Sequence, residues 1–179
     1  YILFVGNIEP RKNLKNLLLA YEKLDTTTRK EYSLLLVGAR GWLDGEIFEI
    51  IERLRKAGNH IQQPSDYVVD KDRAAIFSGA ALFVYPSLYE GFGIPPVEAM
   101  ACGVPTVTSN NSSLPEAVGT AARTVDAESV EQLTEAMREV LMDETVRERM
   151  IKEGFKQVDK FSWKKEAEKL LEVFMEVKK

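Results

Sequence analysis

Leu82-Phe83-Val84-Tyr85-Pro86-Ser87-Leu88-Tyr89-Glu90-Gly91-Phe92-Gly93-Ile94-Pro95-Pro96-Val97-Glu98-Ala99-Met100-Ala101-Cys102-Gly103-Val104-Pro105-Thr106-Val107-Thr108 is the stretch that decides the fold. Its first four residues form an unbroken apolar run stopped by Pro86, which predicts a strand buried on both faces. Pro95 and Pro96 stand where the first turn of a helix tolerates proline. That helix is predicted to run to Cys102, with Gly103 closing it. Val104 to Thr108 reads as the next strand. A strand, a glycine loop, a helix and a second strand in this order make a parallel crossover unit.

The same alternation extends to both sides. Ile2 to Val5 is a compact apolar run, and Leu14, Leu17, Leu18, Tyr21 and Leu24 recur on one helical face. Leu34 to Val37 predicts a second strand. Ile47, Ile50, Ile51 and Leu54 predict a second helix, with Asp44 as its N-cap and Gly58 as its stop. A weak strand is expected near Ile61, then a short helix from Asp70 to about Ser78. Arg123 to Val125 is the last expected strand. After Asp126 the pattern is helical only, with faces Val130, Leu133, Met137, Val140, Leu141, then Val146, Met150, Phe155. Ser162 is expected to cap a final helix, whose stripe of Trp163, Ala167, Leu170, Leu171, Phe174 and Val177 reads as a packing face. The expected class is α/β: one parallel sheet flanked by helices, with extra helices at the C-terminus, over residues 1–179.

Composition narrows the functional classes. There are 24 Lys and Arg against 28 Asp and Glu, a formal net charge of −4, which argues against a nucleic-acid partner. Cys102 and His60 are the only cysteine and histidine, so neither an internal disulfide nor a multi-histidine metal centre is available. No run approaches the ~20 apolar residues of a membrane-spanning helix, and no signal peptide is expected from the opening residues. A cytoplasmic setting is the expectation. The opening reads as a strand with no initiator Met, which suggests a piece of a longer protein.

Ligands of open parallel sheets bind outside the carboxyl ends of the strands. Three segments follow such ends. Gly6-Asn7-Ile8-Glu9-Pro10-Arg11-Lys12-Asn13 offers a glycine and two adjacent cations to a diphosphate, although alone it reads more simply as a solvated basic loop. In Glu90 to Glu98, Gly91 and Gly93 free backbone N–H groups before a helix N-terminus, Glu98 is expected on the first turn, and Glu90 can face a sugar. On chemistry alone, a plain turn with a carboxylate on the helix dipole explains this segment equally well. Ser109-Asn110-Asn111-Ser112-Ser113 lines a polar pocket or serves as an ordinary turn and cap. Cys102 reads as a small core residue and His60 as a surface or capping residue. Trp42 covers either the core or a ligand.

Together these segments resemble the glycosyltransferases of family 4, also called glycosyl transferases group 1. The resemblance rests on Pro86-Ser87, the E-x7-E pair Glu90 and Glu98, Glu98-Ala99-Met100-Ala101-Cys102-Gly103-Val104-Pro105, Ser109, and Pro115-Glu116-Ala117-Val118-Gly119. Gly6 to Lys12 resembles the family's phosphate-binding loop, and Phe161-Ser162-Trp163 its C-terminal signature. The resemblance implies one Rossmann-like lobe of a GT-B enzyme: the C-terminal, donor-binding lobe, with the acceptor-binding N-terminal lobe outside this chain.

Further implications follow by position. Lys12 resembles the lysine on the donor diphosphate, Glu98 the glutamate on the ribose hydroxyls, and Glu90 the glutamate beside the transferred sugar. Gly91-Phe92-Gly93-Ile94 resembles the backbone that contacts sugar and phosphate, and Gly6 belongs to the phosphate loop. Tyr67 and Val68 lie near the base-packing loop, although Gln62 to Asp66 departs from the family pattern. Asn7 stands where many members have arginine, and Arg11 is the nearest substitute for that charge. The resemblance further implies a metal-independent transfer of a hexose with retention, by attack on the face from which the leaving group departs. GDP-mannose is the favoured donor, UDP-glucose an open one, and the acceptor a saccharide or lipid-linked sugar. Peripheral membrane contact of the parent stays open. The alternatives are a nucleotide-binding module inactive by itself and a sugar-nucleotide epimerase-like enzyme.

Overall fold

A computed structural model describes residues 1–64, 68 and 70–177. Six parallel strands form one sheet: β1 (Ile2–Val5), β2 (Leu34–Val37), β3 (Ile61–Gln62), β4 (Leu82–Tyr85), β5 (Thr106–Ser109) and β6 (Arg123–Val125), in the order β3-β2-β1-β4-β5-β6. β1, β4 and β5 are buried along their whole length, β1 and β4 as their uninterrupted apolar runs require when helices cover both faces, and β5 although three of its four residues carry hydroxyls. From β1 the chain builds outward through β2 and β3, then returns to place β4 on the other side of β1. The order therefore reverses between β1 and β4, the place where open α/β sheets present a ligand crevice.

One predicted strand shifts. β5 begins at Thr106 rather than Val104. Pro105 has no N–H for the ladder and contributes only its carbonyl, which accepts from Phe83 N–H at 2.9 Å. The Val104 N–H returns to Ala99 O as part of the preceding helix exit.

The helices are α1 (Leu14–Lys23), α2 (Thr26–Glu31), α3 (Gly45–Lys56), α4 (Asp70–Ser78), α5 (Ile94–Ala101), α6 (Leu114–Val118), α7 (Val130–Met142), α8 (Glu144–Val158) and α9 (Trp163–Val177). Leu14, Leu17, Leu18 and Tyr21 of α1 are buried, as their spacing predicts. α2 is an addition that its three consecutive threonines conceal, since threonine is a weak helix former. Asp25 starts it by accepting from Thr28 N–H at 3.0 Å and from the Thr28 hydroxyl at 2.6 Å. Asp44 holds the N-cap position of α3 but does not cap it, because its carboxylate is engaged by Arg40 at 2.9 Å.

α9 departs most from expectation. Its apolar stripe forms as a helix, but none of its residues is buried, and Trp163 is 88% exposed. The stripe read as a packing face has no packing partner among the described residues. Phe155 of α8 is likewise exposed. Among the described residues no helix is long and apolar enough to cross a membrane.

Candidate active site

The crevice at the order reversal has a visible origin. β1 pairs with β2 through four residues but with β4 only through Ile2–Leu82 and Leu3–Phe83. Beyond Leu3 the ladder between β1 and β4 ends, and the rings of Phe4 and Tyr85 stack across the seam at 5.8 Å.

The loop after β1 is fixed by its neighbours. Gly6 N–H donates to Val37 O, Ile8 N–H to Ala39 O, and Gly41 N–H to Ile8 O. Position 38 must be glycine for these backbones to approach, since a Cβ there would lie 1.9 Å from Gly6 O. A 3-10 turn, Pro10–Lys12, follows and ends at Asn13 in the left-handed region, φ 56°. The Asn13 amide donates to Pro86 O at 3.1 Å and Ala127 O at 2.7 Å, tying the loops after β4 and β6 to the loop after β1.

This arrangement turns Lys12 inward. Its ammonium donates to the Tyr85 hydroxyl and to Glu90 Oε1, each at 2.6 Å. The Ser87 hydroxyl donates to the same Glu90 oxygen at 2.6 Å. Arg11 reaches Glu90 Oε2 at 3.1 Å, Glu9 at 2.7 Å and Tyr89 O at 2.7 Å. The Glu90 backbone is held as well: its N–H donates to the Ser112 hydroxyl, and its carbonyl accepts from the Ser113 hydroxyl, both at 3.0 Å. Burial alone would raise the Glu90 carboxyl. The hydrogen bonds from Lys12 and Ser87, the Lys12 charge and the Tyr85 hydroxyl outweigh burial and hold it below its ordinary value. Arg11 is held above its ordinary range: desolvation works against its charge, but Glu90 and Glu9 outweigh it. The Tyr85 hydroxyl is pushed far up, first by burial and then by the facing Glu90 charge.

These residues line a cleft of about 370 Å³ whose opposite wall is the start of α5. Gly93 is its N-cap at φ 98°, and no side chain caps the helix. A Cβ on Gly93 would lie 2.6 Å from Leu114 Cδ2, so both space and conformation demand glycine. Pro95 and Pro96 carry no N–H, which leaves the donors of this helix end at Gly93 and Ile94, both on the cleft wall. Gly91 differs: open space surrounds the place of a Cβ, so the turn does not require glycine there.

Glu98 is the fifth residue of α5, just past the first turn on which it was expected, because the helix starts at Ile94. It does not line the Lys12 cleft. Its Oε2 accepts from Arg73 of α4 at 2.5 Å, and the pair borders a second cleft of about 520 Å³ with Phe77 and Cys102. Cys102, read as a core residue, is half-buried on the wall of that cleft. Tyr67 lies outside the described residues. Val68 is partly buried and packs against the hydrophobic core. Asn7 is exposed at the rim of the first cleft, and Trp42 is exposed as well.

Of the residues singled out from the sequence, Gly6, Arg11, Lys12, Glu90, Phe92, Gly93 and Ile94 line one cleft, whereas Gly91, Val68 and Glu98 do not. No role was read for Tyr85 or Arg73, nor for Asn13 and Ser87, although the last two stand in segments quoted from the sequence. A tyrosine ending an otherwise aliphatic and aromatic strand at its ligand-facing end was the available signal for Tyr85. Asn13 and Arg73 act through contacts with residues distant in sequence.

Residues 1–157 match the family model described as glycosyl transferases group 1. The chain belongs to this family, and its sheet and helices are those of the C-terminal lobe of a GT-B glycosyltransferase. It is 43% identical over 163 residues to O-antigen chain mannosyltransferase B of Escherichia coli, covering 91% of this chain and 42% of that protein. Its structure matches sucrose-phosphate synthase of Thermosynechococcus elongatus with a TM-score of 0.80 and 26% identity, over 98% of this chain and 45% of the other. It also has the fold of the C-terminal domain of a glycosyl transferase group 1 family protein from Francisella tularensis, with a TM-score of 0.78 and 19% identity, over 89% and 84% of the two chains. The chain spans less than half the length of the curated relatives it matches.

Proposed function

We propose that this chain is the donor-binding lobe of a retaining hexosyltransferase, with GDP-mannose the favoured donor. Its saccharide or lipid-linked acceptor would be held by a second, N-terminal lobe on the cytoplasmic side. The observation that carries the reading is the cleft in which Lys12 and the uncapped start of α5 face each other. Breaking the bond between sugar and nucleoside diphosphate develops negative charge on the leaving phosphate. A buried ammonium and two converging N–H groups stabilise such charge most where water is excluded. Arg11 adds a second cation at the rim.

Both oxygens of Glu90 accept hydrogen bonds or ion pairs, and its charge is held by Lys12 and Arg11. That makes it a poor nucleophile toward the sugar. It suits a carboxylate that orients sugar hydroxyls while the acceptor attacks from the side of the departing phosphate. Glu98 retains a second oxygen beside its ion pair with Arg73, and a ribose diol would bind there. The mannose preference rests on the similarity to a mannosyltransferase. The lobe alone is expected to bind donor without sustained transfer.

The test is calorimetric titration of the chain with GDP-mannose, UDP-glucose, GDP and UDP, with Glu98→Ala alongside. Binding of the guanine ligands, weakened by Glu98→Ala, is the expected result. Preference for the uracil ligands would overturn the mannose assignment. Indifference of a bound ligand to Glu98→Ala would overturn the ribose contact.

A further inference from the structure

Tyr85 is a buried polar side chain on the cleft wall to which the reading above gives no part. It is fully buried at the end of β4, and its ring lies within 19° of parallel to those of Phe4 and Phe83, 5.8 Å from each. This packing holds the phenol oxygen 2.6 Å from the Lys12 ammonium. A lysine stem is flexible and its ammonium is a point charge with three donors, so its direction must be imposed by acceptors.

We infer that Tyr85 is a positioning residue for Lys12: its hydroxyl accepts a hydrogen bond from one ammonium N–H, Glu90 accepts from a second, and the third is directed into the cleft toward a diphosphate. The inference deepens the donor reading and rests on it. The choice of a phenol has a physical reason. A second carboxylate in this place would cancel the charge that Lys12 offers a phosphate, whereas a neutral oxygen orients the ammonium and leaves that charge in place. Burial and the neighbouring Glu90 keep the phenol protonated, so the anchor stays neutral. Phenylalanine would preserve the stack and remove only the oxygen.

The test uses the chain itself, titrated with GDP and UDP and with guanosine and uridine, as wild type, Tyr85→Phe, Lys12→Met and the double variant. Tyr85→Phe is expected to weaken the nucleoside diphosphate about tenfold, the size of one hydrogen bond to a charged group, and to leave the nucleoside within about twofold. In the Lys12→Met background it should cause no further loss, because the hydroxyl then has no ammonium to orient. Equal weakening of nucleoside and diphosphate would mark a merely structural role and overturn the inference. So would additive losses in the double variant. Thermal unfolding checks each variant, and Tyr85→Leu serves as the second hydroxyl-free variant if the first does not fold. Failure of wild type to bind either diphosphate, or indifference to Lys12→Met, overturns the donor reading and this inference with it. An effect of Lys12→Met without one of Tyr85→Phe overturns this inference alone.

Discussion

Two ion pairs of nearly equal length differ sharply in their surroundings. Lys12 and Glu90 meet at 2.6 Å with each side chain 10% exposed. Arg73 and Glu98 meet at 2.5 Å with side chains 33% and 35% exposed. The first pair is surrounded by further bonds to Tyr85, Ser87 and Arg11, which satisfy what burial would otherwise leave unpaired. The second joins two helices across an open cleft and is screened by water. The difference separates two tasks. A fixed pair shapes a place for a ligand's charge, while a loose pair can exchange one partner for another at little cost.

The contrast breaks most visibly at Lys12. Lys12→Met leaves the buried Glu90 carboxylate with the Ser87 hydroxyl on one oxygen and with Arg11, at the other, as its one remaining cation. It is expected to cost about 3 kcal/mol in urea unfolding, as removal of one partner of a buried pair does. A loss no larger than that of an exposed pair would show that the site relaxes around Glu90. The next effect is in pH. Because Glu90 titrates below its ordinary value of 4.5 when folded, its contribution to stability is complete above that value. The contribution is lost as the pH falls through the lowered folded one. Glu90→Gln should therefore flatten the acid limb of the stability profile below about pH 4.5. An unchanged limb would mean that other carboxylates dominate it. The smallest effect is expected at the open pair, where Arg73→Met should cost less than about 1 kcal/mol. A cost equal to that of Lys12→Met would erase the distinction.

Much of the fold was readable because the central strands carry uninterrupted apolar runs, which only a doubly covered sheet explains. Proline showed where α5 begins, and the missing N–H of Pro105 displaced β5 by two residues. α9 marks the limit of such reading. Periodicity reveals an apolar face, but what covers that face is a property of surfaces, not of spacing. The site divides similarly. Lys12 and Glu90 stand in loops whose glycines and prolines advertise special backbone. Tyr85 acquires its role from a residue 73 positions away, and Arg73 from one 25 positions away.

Asn13 has a consequence for the thermodynamics of recognition. One amide ties the loops after β4 and β6 to the loop after β1, from a residue whose backbone is left-handed. The loops are therefore ordered when the chain folds. A ligand arriving at the rim meets a surface whose conformational entropy has already been surrendered, and its association carries correspondingly little of that penalty.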